Sequence, residues 1–269
     1  MDWSTRALAR SLAAVLPDLD VEVLASIDST NSELMRRARA GHIKPCLLVA
    51  EQQTAGRGRM GRSWDSAPDA AQAGKGNAAT LVPALTFSLG LPLAPASWSG
   101  LSLAVGVAVA RCLHSRIGLK WPNDLWLDGR KLAGILIETA ITAQQRYTVI
   151  GVGINIAPRD MAGLSTAPAC LHELLPGVDA PTVLQRVVPE LVQGVLLFET
   201  QGFGPFKDAF AQRDVLRAQP VTLSDGSSGT ALGVDETGGL LVHTSSGMKT
   251  VTSAEVSVRP SGAAPGTSI

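Results

Sequence analysis

Three arginines alternate with three glycines in Gly56-Arg57-Gly58-Arg59-Met60-Gly61-Arg62, set between Gln52-Gln53-Thr54-Ala55 and Ser63-Trp64. Glycine frees the backbone for positive φ and lets its N–H groups approach an anion closely. Arginine adds a planar fork of donors that fits carboxylate and phosphate oxygens and stays charged at any working pH. The run follows an apolar stretch, Cys46-Leu47-Leu48-Val49-Ala50, that reads as a buried strand. A cationic loop at a strand end suits a clamp on an anionic ligand. It equally suits a solvated surface loop or an RGG-like patch for nucleic acid.

A second set of candidates lies downstream. Lys131 opens the otherwise apolar Lys131-Leu132-Ala133-Gly134-Ile135-Leu136, either as a snorkelling strand-end residue or as a fixed cation for a carboxylate or phosphate. Asn123 and Asp124 follow Pro122 and are turn formers in the simplest reading; the functional one is a polar corner for a nucleotide or its magnesium. Gly151-Val152-Gly153-Ile154-Asn155 starts like a dinucleotide fingerprint but lacks the third glycine. There is no GxxxxGK[ST] sequence, so any nucleotide must be held in another way.

Elements must position these groups. Apolar spacing predicts a helix over 5–16, ending before Pro17, and a strand at Val21-Glu22-Val23-Leu24. Thr30 with Glu33 forms a capping-box pattern, and Gly41 sits where a terminal glycine would stop that helix. Ser29, Thr30 and Asn31 are then a helix cap, or, with the same geometry, a polar rim for a small ligand. Ser66 to Thr80 is rich in Ala and Gly, without period, and reads as mobile. A strand is expected at Ala84–Leu89 and a small-residue helix from Ser99 to Ile117, closed by Gly118. Asp128-Gly129 between apolar runs predicts a tight hairpin into the Lys131–Glu138 strand, and Tyr147–Ile156 forms another strand. Helices follow at Thr182–Glu199, with a kink at Pro189, and around Phe206–Gln212. From Gln219 onward, short β segments with Asp225-Gly226, Gly238-Gly239 and Ser246-Gly247 turns suggest a small separate barrel. The expected class is α/β (α+β): a mixed β-sheet with packed helices over 1–215, a small β-barrel over 216–260, and a disordered tail over 261–269.

Composition narrows the function. Lysine plus arginine (23) balances aspartate plus glutamate (23), which argues against nucleic acid as the main partner of the arginine loop. Three scattered cysteines fit reduced, buried thiols, and four histidines without paired spacing argue against a protein-built metal site. Pro92, Pro95, Ser97, Ser99 and Ser102 break the most apolar region, and no export signal opens the chain, so a soluble cytoplasmic protein is expected.

In order and spacing, Asp28-Ser29-Thr30-Asn31, the arginine loop with Trp64, Lys120-Trp121-Pro122-Asn123-Asp124, the Lys131 strand and Gly151-Val152-Gly153-Ile154-Asn155 closely resemble the bacterial biotin–protein ligases. The resemblance implies a catalytic domain like that of class II aminoacyl-tRNA synthetases, followed by an SH3-like barrel. It also implies a two-step reaction: biotin and ATP, with Mg2+, give biotinyl-5′-AMP, and the acyl group passes to a lysine of a biotin carboxyl carrier protein domain. Ser29, Thr30, Asn31 and Gln53 would line the biotin head pocket, and Arg57, Gly58 and Arg59 would close over it. Lys131 would meet the biotin carboxylate and α-phosphate, with Gly134 giving clearance; Lys131 and Arg57 are the expected catalytic residues. Arg59, Arg62, Trp64, Asn123, Asp124 and Asn155 would face the nucleotide. Some relatives carry an N-terminal helix-turn-helix, but here the pocket motif begins near residue 28, so no DNA binding is expected; a homodimer stays open. A lipoate–protein ligase is the rival enzyme, and a non-enzymatic nucleic-acid-binding protein the rival of another class.

Overall fold

The computed structural model describes residues 1–66, 82–142, 145–159, 168–252 and 258–260. The expected mobile segment (apart from Ser66) and the expected tail lie outside them. In chain order the elements are α1 (Thr5–Leu12), β1 (Asp20–Ile27), α2 (Thr30–Arg39), β2 (Cys46–Gln53), β3 (Ala84–Pro92), α3 (Leu101–Leu113), β4 (Gly118–Lys120), β5 (Asp124–Leu127), β6 (Arg130–Ile141), β7 (Arg146–Asn155), α4 (Ala180–Gln201), α5 (Lys207–Ala211), β8 (Pro220–Leu223), β9 (Ser228–Val234), β10 (Leu240–Thr244), β11 (Gly247–Val251) and β12 (Val258–Pro260). They fall into two compact units: Met1–Ala94 with Leu132–Pro189, and Pro95–Lys131 with Glu190–Ser268.

The first unit holds strands in the order β1-β2-β3-β7-β6. β1 and β2 pair in parallel across α2, as a βαβ crossover requires, and the β2–β3, β3–β7 and β7–β6 pairs are antiparallel. Leu47, Leu48, Val49 and Ala50 of β2 are fully buried, so both faces of that strand are covered and it reads as a continuous apolar run rather than an alternation. α2 begins one residue earlier than its capping-box pattern suggests. Ser29 is the N-cap, accepting from the Ser32 N–H at 3.4 Å, and Thr30 is the first helical residue. Gly41, at φ +91°, takes the left-handed position that ends the helix.

In the second unit, α3 is shorter than expected. It stops at Leu113, and Gly118 opens β4 instead of closing the helix. The Arg213 guanidinium binds the turn that follows, donating to the carbonyls of His114, Ser115 and Ile117 at 2.8–3.1 Å. β4 and β5 pair antiparallel around the Trp121–Asn123 turn, and Asp128 (φ +48°) and Gly129 (φ +76°) form the left-handed pair of a tight hairpin turn. The short strands after Gln219 form a five-stranded antiparallel sheet in the order β11-β10-β9-β8-β12.

Candidate active site

In the first unit, the polar residues at the start of α2 form one continuous network with the strands beside them. The Thr30 N–H (2.8 Å) and hydroxyl (3.1 Å) both donate to Gln53 Oε1. Ser88 Oγ lies 2.7 Å from Thr30 Oγ1 and 2.6 Å from Asn31 Oδ1. Asn31 Nδ2 donates to Glu138 Oε2 at 3.0 Å and to the Leu136 carbonyl at 3.2 Å. Ser29, Thr30, Asn31, Gln53 and Ser88 are all buried. Burying this many polar groups is costly unless they are paired, and each of these side chains has at least one hydrogen-bond partner. Ser29 holds the helix-cap position, while Thr30 and Asn31 point into the network.

Glycines clear the face of the sheet beside that network. Gly134 pairs with Gly153, and Leu136 with Gly151. A Cβ on Gly151 would come within 2.2 Å of Asn31 Oδ1, and one on Gly153 within 2.4 Å of the Trp64 indole. The Trp64 indole thus lies close against bare strand backbone at Gly153, where a side chain would collide with it.

The arginine loop is a small closed ribbon rather than a loose arm. Arg57 and Ser63 form an antiparallel bridge, Trp64 N–H donates to the Gly56 carbonyl at 2.8 Å, and Gly58 N–H donates to the Arg62 carbonyl at 2.7 Å. Its tip, Arg59–Gly61, is a tight turn with Met60 (φ +56°) and Gly61 (φ +74°) left-handed and Met60 exposed. Arg57 pairs with Glu138 through two hydrogen bonds, 2.8 and 3.2 Å, and its Nη1 also donates to Ser32 Oγ. Past the ribbon, Gln53 N–H donates to Ser66 Oγ at 2.8 Å; Ser66, expected to open a mobile segment, is fully buried. Arg159 donates to the Asp65 carbonyl at 2.6 Å and pairs with its carboxylate at 3.2 Å.

Not every expected site residue joins this group. Asn155 is buried in the first unit, but its amide donates to the Ala169 carbonyl at 3.1 Å. Asn123, Asp124 and Lys131 belong to the second unit, where Lys131 Nζ pairs with Asp124 Oδ1 at 2.9 Å and both side chains are largely buried. Sequence reasoning missed Ser88 and Glu138. Each is a polar residue on the strand face that carries glycines, two or four positions from one (Ser88–Gly90, Gly134–Glu138), and that parity was the available signal.

On the exposed side of α2, Arg36 bonds both oxygens of Asp28, at 2.7 and 2.9 Å, and holds that carboxyl down at about 2 from its ordinary 3.8. A pKa lowered by folding stabilises the fold above the unfolded value and ceases to do so as pH falls through the folded one. Melting temperatures should therefore favour wild type over Asp28→Asn at about pH 6, with the gap closing toward about pH 2. A gap that persisted in strong acid would mean the contact is not ionic.

Comparison with known proteins identifies the family. The biotin/lipoate A/B protein ligase family model matches residues 23–155, and the biotin protein ligase C-terminal domain model matches residues 219–259. The bifunctional ligase/repressor BirA of Escherichia coli is 34% identical over 262 residues, covering 93% of this chain and 78% of that protein. The biotin–[acetyl-CoA-carboxylase] ligase of Paracoccus denitrificans is 32% identical over 253 residues, covering 87% of this chain and 98% of that one. Among solved structures, the biotin protein ligase from Aquifex aeolicus in complex with biotin and ATP superposes with a TM-score of 0.72 at 27% identity, over 90% of this chain and 99% of that chain. The expected mixed sheet, packed helices and small C-terminal β domain are the architecture of these proteins, and the chain belongs to the biotin–protein ligase family.

Proposed function

We propose that this protein activates biotin with ATP as biotinyl-5′-AMP and passes the acyl group to a lysine of a biotin carboxyl carrier protein domain. The single observation that carries this reading is the polar network Gln53–Thr30–Ser88–Asn31, set against the glycine-cleared sheet and flanked by the arginine ribbon. A neutral bicyclic head group needs a few fixed donors and acceptors on an otherwise apolar floor, and the network supplies them. In the first step a biotin carboxylate oxygen attacks the α-phosphorus and pyrophosphate leaves. In the second, the acceptor amine attacks the acyl carbonyl and AMP leaves. The first step crowds negative charge and the second builds it on the acyl oxygen and the departing phosphate, and fixed cations offset both.

Ser29, Thr30, Asn31, Gln53 and Gly134 take the biotin side in this proposal, and Arg57, Gly58 and Arg59 cover it. Lys131 meets the carboxylate and the α-phosphate. Arg62, Trp64, Asn123, Asp124 and Asn155 serve the nucleotide, Asn155 by fixing the chain near Ala169. We propose that Mg2+ arrives with the triphosphate, phosphate oxygens and water supplying most of its ligands. Residues 1–215 serve as the catalytic part and 216–260 as an accessory barrel. We further propose that the protein acts in the cytoplasm; no helix among the described residues is long and apolar enough to cross a membrane. With a formal charge of zero, it is expected to leave DNA unbound.

Incubation with ATP and either biotin or lipoate, followed by detection of the acyl-adenylate, tests the reading. Biotinyl-AMP alone is expected, and lipoyl-AMP alone would replace it with the lipoate reading. In the same assay Arg57→Ala should release the adenylate about tenfold faster or more, since hydrogen bonds to a charged group are lost. Wild-type retention by this variant would remove Arg57 from the cover.

A further inference from the structure

We infer that Glu138 is a positioning residue that holds the arginine ribbon on the sheet. Its carboxylate receives Arg57 Nη2 on Oε1 at 2.8 Å, and Arg57 Nη1 at 3.2 Å and Asn31 Nδ2 at 3.0 Å on Oε2. It is therefore the joint between the buried head-pocket network and the loop above it. Alternation along β6 places Glu138 on the face of Gly134 and Leu136, where Asn31 and Trp64 lie. Side-chain exposure is 22% for Glu138 and 47% for Arg57. The pair is thus half-shielded and forked, the geometry in which an ion pair contributes more than a surface contact. A glycine-rich loop has much freedom to lose on closing, and a contact that confines it beforehand lowers the cost of covering a ligand. The same contact ties loop and pocket together: displacing Asn31 withdraws a donor from the carboxylate that seats Arg57.

The coupling to biotin rests on the proposed function, whereas the seating of the empty loop does not, and one experiment separates them. Trypsin cleavage after Arg59 in the ligand-free protein reads the seating directly. Glu138→Gln, which keeps the amide-sized shape and an acceptor for Asn31, should be cut about fivefold faster than wild type. Raising NaCl should accelerate cleavage of wild type and leave the variant unchanged, because only wild type has the ion pair to screen. Glu138→Gln with Arg57→Gln should be no faster than either change alone, an outcome that general loosening of the fold would not give. Addition of biotin and ATP should protect both proteins, and the KM for biotin should rise about fivefold in Glu138→Gln with little change in kcat. Equal cleavage of ligand-free wild type and variant, or additive effects in the double variant, would overturn the role of Glu138. Faster cleavage of the variant with no protection by ligands would uphold the seating and count against the ligase reading.

Discussion

Lys131→Ala is expected to slow pyrophosphate release by about 100- to 1000-fold, the loss typical of removing a preorganised group that stabilises charge in flight. A carboxylate and a triphosphate repel each other, and the nucleophile must still approach the α-phosphorus in line. A lysine helps most when it is held still and partly dried, and Lys131 meets both conditions: its side chain is 18% exposed and pairs with Asp124 at 2.9 Å. The pairing also complicates the experiment, because deleting the cation strands a carboxylate that is itself only 17% exposed. Asp124→Asn added to Lys131→Ala should restore much of the lost melting temperature and none of the lost rate. Pyrophosphate released at the wild-type rate by Lys131→Ala would take that residue out of the chemistry and leave it as a strand-end ion pair.

Much of this site is written locally in the chain, and the part that is not has a common cause. The Asp128-Gly129 turn needs two positive φ values and gets them, so spacing alone locates the β5–β6 hairpin. The α2 pattern located its helix but misplaced the cap by one residue. Ser29 and Thr30 are equally good caps in isolation, and only the pull of Gln53, 23 positions away, turns the Thr30 donors inward. Gly118 reads as a helix stop, but α3 ends at Leu113, and the carbonyls of the connecting turn are taken up by Arg213, about 100 residues downstream. Ser88 and Glu138 sit in strands whose apolar character dominates any window, and their partners are distant in sequence. Asn155 carried a motif letter, and its amide is taken up by a carbonyl that no local pattern announces. Local propensity fixes elements; side-chain partners across the sheet fix chemistry.

Gly151→Ala should raise the KM for biotin by roughly 10- to 100-fold while the protein stays folded, the consequence of overpacking a tight contact. β7 lies between β3 and β6, and at Gly151 the space a methyl group would need is taken by Asn31: Oδ1 would be 2.2 Å and Cγ 2.9 Å from the new atom. Asn31 must swing away. It then loses the 2.6 Å bond to Ser88 and the bonds to Glu138 and Leu136, which leaves buried partners unsatisfied and unseats the pocket. Gly90→Ala is the matched control on the same face. There the new methyl would meet the Tyr147 hydroxyl at 2.4 Å and its ring at 2.9 Å, away from the network, with no link from Tyr147 to Asn31 among the described bonds. Both substitutions should lower the melting temperature by several degrees, about what 1–3 kcal/mol of overpacking gives in a chain of this size. Only Gly151→Ala should lose biotin. Unaltered biotin affinity in Gly151→Ala, measured calorimetrically, would mean that the network beside the glycines is a structural brace and that the vitamin sits elsewhere.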